Sequence, residues 1–172
     1  MRNAPLRIGV VSDTHMFSRG AKLPDLLVEG LRGVDLLLHA GDFTDPAVVP
    51  LLEAVAPLEA VAGNNDGMDI VRRFGYRKIV EAGGRRIGLV HGHDGPGRST
   101  EAKAAISFRD DPVDIVVFGH SHVPYYEMSP DGVLLFNPGS PTDKRRQPRY
   151  SYGLIEIGDR IEAAHRYYDD KA

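Results

Sequence analysis

The stretch VVFGHSH, residues 116 to 122, carries an apolar run straight into two of the chain's seven histidines. Similar run-ends recur along the sequence. Asp13 and His15 follow Leu6 to Val11, Asp42 follows Val34 to His39, Asn64 follows Leu58 to Ala62, and His91 follows Arg86 to Val90. His120 and His122 complete the set after Ile115 to Phe118. Each polar residue alone has an ordinary explanation, because aspartate, asparagine and glycine are common in turns and caps. Their recurrence at five successive run-ends does not. Carboxylate, imidazole and amide oxygen together suit manganese, iron(II), nickel or zinc, with manganese the first choice, and seven such groups exceed the needs of one ion. Two divalent ions are expected. The members of Asp13-Thr14-His15 and His120-Ser121-His122 are two residues apart, so in extended backbone both side chains leave on one face. Gly119 allows the backbone to approach the site closely.

These residues need elements to carry them. The run Leu6 to Val11 is unbroken and β-branched, which suits a strand buried on both faces. A polar loop follows Asp13, and Leu23 to Leu31 has apolar residues at helical spacing with Pro24 near its start. Val34 to His39 and Leu58 to Ala62 read as strands around a helix over Pro46 to Val55. That β-α-β-α-β alternation implies a parallel sheet whose ligands gather beyond the carboxyl ends of its strands. Beyond residue 75, Lys78 to Glu81 and Arg86 to Val90 flank Gly83-Gly84 as a hairpin. A helix over Ser99 to Phe108, a strand over Ile115 to Phe118, and hairpins around Pro130-Asp131-Gly132 and Gly158-Asp159 complete the chain. The fold class expected is α/β, two packed mixed β-sheets flanked by helices in an α/β/β/α sandwich.

At 172 residues the chain suits a single domain spanning 1–172. It has no cysteine, so thiolate metal sites and cysteine nucleophiles are excluded and any metal must be held by nitrogen and oxygen. A formal charge of −3 provides no basic field to attract nucleic acid. The basic stretch Lys144 to Arg149 is short and lacks an aromatic stripe, so strong binding to nucleic-acid strands is not expected, and Asp143 to Arg149 reads as a mobile, solvated loop. No apolar run is long enough to span a bilayer and the first residues lack a signal peptide's apolar stretch, so no membrane association is expected and the location expected is cytoplasmic.

The ordered blocks D-x-H, G-D, G-N-x-D, H-G and G-H-x-H resemble those of the calcineurin-like metallophosphoesterases. Here they stand as Asp13-Thr14-His15, Gly41-Asp42, Gly63-Asn64-Asn65-Asp66, His91-Gly92-His93 and Gly119-His120-Ser121-His122. With the late Asn137-Pro138-Gly139-Ser140, they look like the small single-domain phosphodiesterase branch of bacteria and archaea. The resemblance implies one metal held by Asp13, His15 and His122 and a second held by Asn64, His91 and His120, with Asp42 bridging. A pair of ions roughly 3.5 to 4 Å apart can generate hydroxide near neutral pH and drive in-line displacement at phosphorus. The implied activity is hydrolysis of a small phosphodiester substrate. Asn64 and Asp66 are then candidate catalytic residues, Asp66 by orienting its neighbours, and His93 is a third that could touch the substrate phosphate.

Many relatives carry a histidine where this chain has Asn65. Asparagine donates a hydrogen bond but cannot deliver a proton at neutral pH, which favours esters whose leaving group departs unaided. His39 and His165 are expected to be structural, and Asn137 to Ser140 to form a tight turn beside the site. The branch also resembles the scaffold subunit of eukaryotic retromer, so a non-catalytic scaffold with the same fold is the alternative, against which the complete ligand set argues. Self-association through a sheet edge or the late hairpin would make the protein a homo-oligomer.

Overall fold

The computed structural model describes residues 4–15 and 22–170. Part of the polar loop expected after Asp13 lies outside them. Two five-stranded sheets pack face to face. The first has the order β10-β9-β1-β2-β3, built from β1 (Leu6–Val11), β2 (Leu36–His39), β3 (Leu58–Ala60), β9 (Tyr150–Ile157) and β10 (Ile161–Tyr168). The second has the order β4-β5-β6-β8-β7, from β4 (Arg77–Ala82), β5 (Arg85–Val90), β6 (Ile115–Val117), β7 (Tyr125–Met128) and β8 (Leu134–Asn137). Both sheets are mixed. β1, β2 and β3 run parallel and β9 returns antiparallel against β1, while β5, β6 and β8 run parallel between two antiparallel edge strands.

The two faces of each sheet explain the unbroken apolar strands. Ile8, Val10, Leu38, Ile87, Leu89, Ile115, Val117, Phe136 and Ile155 fill the layer between the sheets. The outer face of the first sheet is covered by α1 (Asp25–Gly30), α2 (Val48–Glu53) and α3 (Met68–Phe74), through Leu27, Val48, Leu52, Ile70 and Phe74. α4 (Thr100–Ile106) covers the second sheet with Ala104, joined there by Phe108, Val116 and Phe118. Ser99 starts α4 by accepting a hydrogen bond from the Ala102 amide at 3.1 Å. Apolar residues thus face both ways in the central strands, as an α/β/β/α sandwich requires. α3 was not anticipated from the sequence. Its seven residues carry two buried apolar side chains, Ile70 and Phe74, too short a stripe to read without its neighbours.

The extended-backbone reading of the two histidine-bearing blocks requires correction. β1 ends at Val11 and β6 at Val117, and Asp13, His15, His120 and His122 have φ of 56°, 33°, 71° and 62°. They lie in the left-handed region, so their side chains converge through tight turns and not by the two-residue period of a strand. The basic loop is exposed at Arg145, Arg146, Pro148 and Arg149, as expected of a solvated loop. It is anchored at its start by the Asp143 carbonyl, which accepts from His122 Nδ1 at 2.5 Å.

His39 and His165 both have packed, bonded environments. His165 stacks on Phe136 at 4.5 Å and donates from Nε2 to the Asn137 carbonyl at 2.7 Å. His39 is fully buried and stacked on Phe43 at 3.7 Å. Its Nδ1 accepts from the Gly41 amide at 3.0 Å, so the neutral ring carries its proton on Nε2, which donates to Thr14 Oγ1 at 3.1 Å. Burial pushes its pKa down to about 3, despite the attraction of Asp13 and Asp42. The unfolded chain takes up this proton near pH 6.5 and the folded chain does not, so stability is lost as pH falls from 6.5 toward 3. The loss from this residue should reach about 2 kcal/mol at pH 5. Urea denaturation of metal-free protein between pH 7 and 4.5 should show it as the difference in slope between wild type and His39→Asn, and parallel slopes would contradict it.

Candidate metal centre

The carboxyl ends of β1, β2 and β3 from one sheet meet those of β5 and β6 from the other, and the polar run-ends converge there. Asp13 is the most buried of them, at 0% exposure. Its Oδ2 accepts from Ser12 Oγ at 2.8 Å and from the His120 amide at 2.9 Å. Its Oδ1 receives no hydrogen bond but lies 3.6, 3.7 and 3.5 Å from Nε2 of His15, His91 and His122. Asp42 Oδ2 lies 3.2 Å from His15 Nε2 and 3.3 Å from His91 Nε2.

Among the described residues two groups of ligand atoms follow, each gathered within 4.8 Å: Asp13, His15 and His122, and Asp13, Asp42 and His91. They share Asp13. Asp42 also touches a histidine of each group, so two carboxylates connect the groups where the sequence reading had only Asp42 as the bridge. His120 is half-buried, with its ring 5.1 Å from that of His91, and it flanks the second group. Asn64 is exposed on the turn that also carries Asn65 and Asp66.

The ring orientations suit cation binding. His91 Nδ1 donates to the Ala40 carbonyl at 2.8 Å and His122 Nδ1 to that of Asp143, so in each neutral ring the Nε2 lone pair faces the carboxylates. These two Nε2 atoms and Asp13 Oδ1 are buried without hydrogen-bond partners. Acceptors aimed at one another in a buried space fit a divalent cation between them. The donor set, nitrogen and carboxylate oxygen, is of the kind that first-row divalent ions take.

Protonation in the metal-free protein follows from the same geometry. Burial would lower the pKa of His15, but Asp13 and Asp42 push it up to about 9, and the pKa of His91 is raised for the same reason. Burial would raise that of Asp13, yet His15, His91 and His122 hold it below the usual carboxylate range. Asp42 is likewise held down, His15 and His91 outweighing its burial. His93 and His120 shift the other way, lowered by burial and by the charge of His91.

Several residues hold the ligands in place. Asn65 donates from its amide nitrogen to Asp42 Oδ1 and from Nδ2 to Asp42 Oδ2, both at 2.9 Å. Asp66 accepts from the Asp42 and Gly63 amides at 2.8 Å and from Thr44 at 2.9 Å, tying the two turns together. Burial raises its pKa against the pull of those amides. A Cβ on Gly63 would lie 2.1 Å from Asp42 Oδ1, and one on Gly119 would lie 1.9 Å from Ser12 Oγ, so only glycine lets these turns close.

The segment from Asn137 to Asp143 is the part that sequence reasoning undervalued. Asn137 Nδ2 donates to the Gly119 carbonyl at 3.0 Å and to Ser121 Oγ at 3.1 Å, Ser140 Oγ donates to the Asp13 carbonyl at 2.8 Å, and Thr142 Oγ1 donates to that of Thr14. It clamps both histidine-bearing turns. The available signal was a cluster of small polar residues directly after an apolar strand, which a surface turn would share. His93 lies 5.3 Å from the His91 ring and 6.3 Å from the His120 ring, beside both groups but in neither.

Known proteins carry the same arrangement of chain. The profile of the calcineurin-like phosphoesterase superfamily domain matches residues 6–160. A probable metallophosphoesterase of Methanothermobacter thermautotrophicus is 38% identical over 160 residues, covering 91% of this chain and 89% of that protein. Another from Methanocaldococcus jannaschii is 35% identical over 156 residues, covering 91% and 78%. Among solved structures, Vps29 of Entamoeba histolytica in complex with zinc superposes with a TM-score of 0.74 at 23% identity, over 94% of this chain and 98% of that one. A predicted phosphoesterase of Streptococcus pneumoniae superposes with a TM-score of 0.69 at 24% identity, over 98% and 99%. The structural likenesses establish the fold, and the sequence matches extend across the strand ends where the buried acceptors converge. The chain belongs to the calcineurin-like phosphoesterase superfamily.

Proposed function

We propose that the protein is a divalent-metal-dependent phosphodiesterase with a dinuclear centre. The observation that carries this reading is the pair of ligand groups sharing Asp13, with three buried acceptor atoms left without hydrogen bonds between them. A scaffold has no use for buried carboxylates and histidines that cost free energy to desolvate. Likeness to Vps29 at under 25% identity speaks for the fold alone, so the scaffold reading has no separate support.

In this reading Asp13, His15 and His122 hold one ion, and Asp42 and His91, with Asn64 and His120 at the flank, hold the other, manganese being the first choice. Bound ions of this kind polarise a phosphoryl oxygen and lower the pKa of water. The chain's own residues do the remainder. Ala40 and Asp143 fix the tautomers of His91 and His122, Asn65 and Asp66 hold the β2 turn, and the Asn137–Asp143 segment holds both histidine turns. Among the described residues beside the centre, none is an evident proton donor for the leaving oxygen. Asn65 spends its amide on Asp42, and the lowered pKa of His93 keeps that ring neutral at pH 7. Diesters with good leaving groups, such as aryl esters, are the favoured substrates, and alkyl monoesters are disfavoured.

Asp42→Ala and His120→Ala should each lower hydrolysis of bis(p-nitrophenyl) phosphate by orders of magnitude with the far-ultraviolet circular dichroism unchanged, since the three apolar layers do not depend on either side chain. Retained activity at full metal content would contradict the assignment. Metal uptake should release protons. His15, with its pKa at about 9, is protonated at pH 7 in the metal-free protein and must lose that proton to bind, so apparent manganese affinity should fall about tenfold per pH unit per proton below pH 9. Calorimetry in buffers of different ionisation enthalpy measures this, and zero proton release would refute it. Asn65→Ala frees the Asp42 carboxylate and should weaken manganese binding about 10–100-fold while leaving the aryl-to-alkyl preference unchanged. A changed preference at equal metal loading would return the leaving-group role to Asn65.

A further inference from the structure

A cavity of about 480 Å3 opens beside the metal centre, within the size range of small-molecule sites, and His91 lines both. Tyr76, Val90, His93 and Asp94 form much of its remaining wall. Tyr76 is 51% exposed, so part of its side chain is accessible to a ligand. Its ring lies 5.8 Å from that of His93, tilted by 59°, so two aromatic rings border the same space. The neighbour of Tyr76 on the C-terminal side is well anchored. The next residue, Arg77, begins β4, stacks its guanidinium over Phe108 at 4.4 Å, donates to the Ser107 carbonyl at 3.1 Å and pairs with Asp111 at 3.4 Å. That commitment takes the arginine of the cavity wall out of use for a ligand, and the Asp94 carboxylate in the wall opposes a second anionic group.

Resting on the phosphoesterase reading above, we propose that this cavity receives the organic group of the ester, and that the group is a flat, uncharged aromatic ring of the aryl or nucleobase kind, stacked on Tyr76. A phosphate at the metal centre and a ring in the cavity can be held together because His91 belongs to both. Ring stacking on an exposed aromatic side chain typically strengthens binding on the order of tenfold or more per ring.

The test is calorimetric binding to the manganese-loaded protein, which needs no turnover, with inorganic phosphate, ethyl phosphate, phenyl phosphate and adenosine 5′-monophosphate. Phenyl phosphate and the nucleotide should bind about tenfold tighter than ethyl phosphate. Tyr76→Ala should abolish that difference and leave inorganic phosphate unaffected, and Tyr76→Phe should retain it. Tighter binding of the nucleotide than of phenyl phosphate assigns the cavity to a nucleobase, and the reverse order assigns it to an aryl group. Equal binding of ethyl and phenyl phosphate to the wild type, or a ring preference that survives in Tyr76→Ala, would overturn the proposal while leaving the metal centre standing. Failure of inorganic phosphate itself to bind would remove both readings.

Discussion

The Asp13 carboxylate is fully buried, with one oxygen bonded to Ser12 and His120 and the other facing three histidine nitrogens. Much of the structure can be read as the means of keeping it there. A carboxylate withdrawn from water is costly unless opposite charge or hydrogen bonds surround it. The compensation comes from both sheets at once, because His15 follows β1 while His91 and His122 follow β5 and β6. The metal-free protein can supply it by protonating His15 and His91, and a bound cation can supply it in their place. One buried charge therefore links the packing of the two sheets to metal chemistry.

Bringing so many side chains to one point strains the backbone that carries them. Asp13, His15, Asp42, His120 and His122 all have positive φ, a conformation costing each non-glycine residue on the order of 1–3 kcal/mol. Such strain persists only where surrounding structure over-determines it. Three apolar layers provide the mass of that stability, and short hydrogen-bonded struts apply it locally. Asn65 and Asp66 hold the Asp42 turn from one side. Ser140, Thr142 and Asn137 hold the turns after β1 and β6 from the other. Tight packing makes the glycines at 63 and 119 obligatory, since any side chain there would occupy the space of the Asp42 carboxylate or of Ser12.

The same sandwich serves proteins of different kinds, as the likeness to Vps29 and to a predicted phosphoesterase illustrates. Function resides in the loops at one end of the sheets. Here those loops pair a donor set suited to divalent ions with a cavity bordered by aromatic rings. The centre is built by residues that face inward and are fixed, whereas the cavity is shaped by the α3–β4 junction and by the loop after His91, where side chains face solvent. On the proposed reading, metal chemistry and selectivity are carried by separate elements that meet at His91.

The sequence by itself determined the elements and the donor types. Unbroken apolar runs marked strands buried on both faces, glycine-bearing turns marked hairpins, and the polar residues ending each run pointed to a candidate metal site of nitrogen and oxygen donors, because these properties depend only on near neighbours in the chain. Tertiary structure decided how the donors are shared. That Asp13 belongs to both ligand groups, that Asn65 faces Asp42, and that Asn137 to Asp143 clamps two distant turns depend on contacts between residues 16 to 128 positions apart, which leave no local pattern. The left-handed turns escaped local reading for a related reason. Aspartate and histidine in such a conformation look like any strand end until the opposing sheet supplies the hydrogen bonds that hold them there.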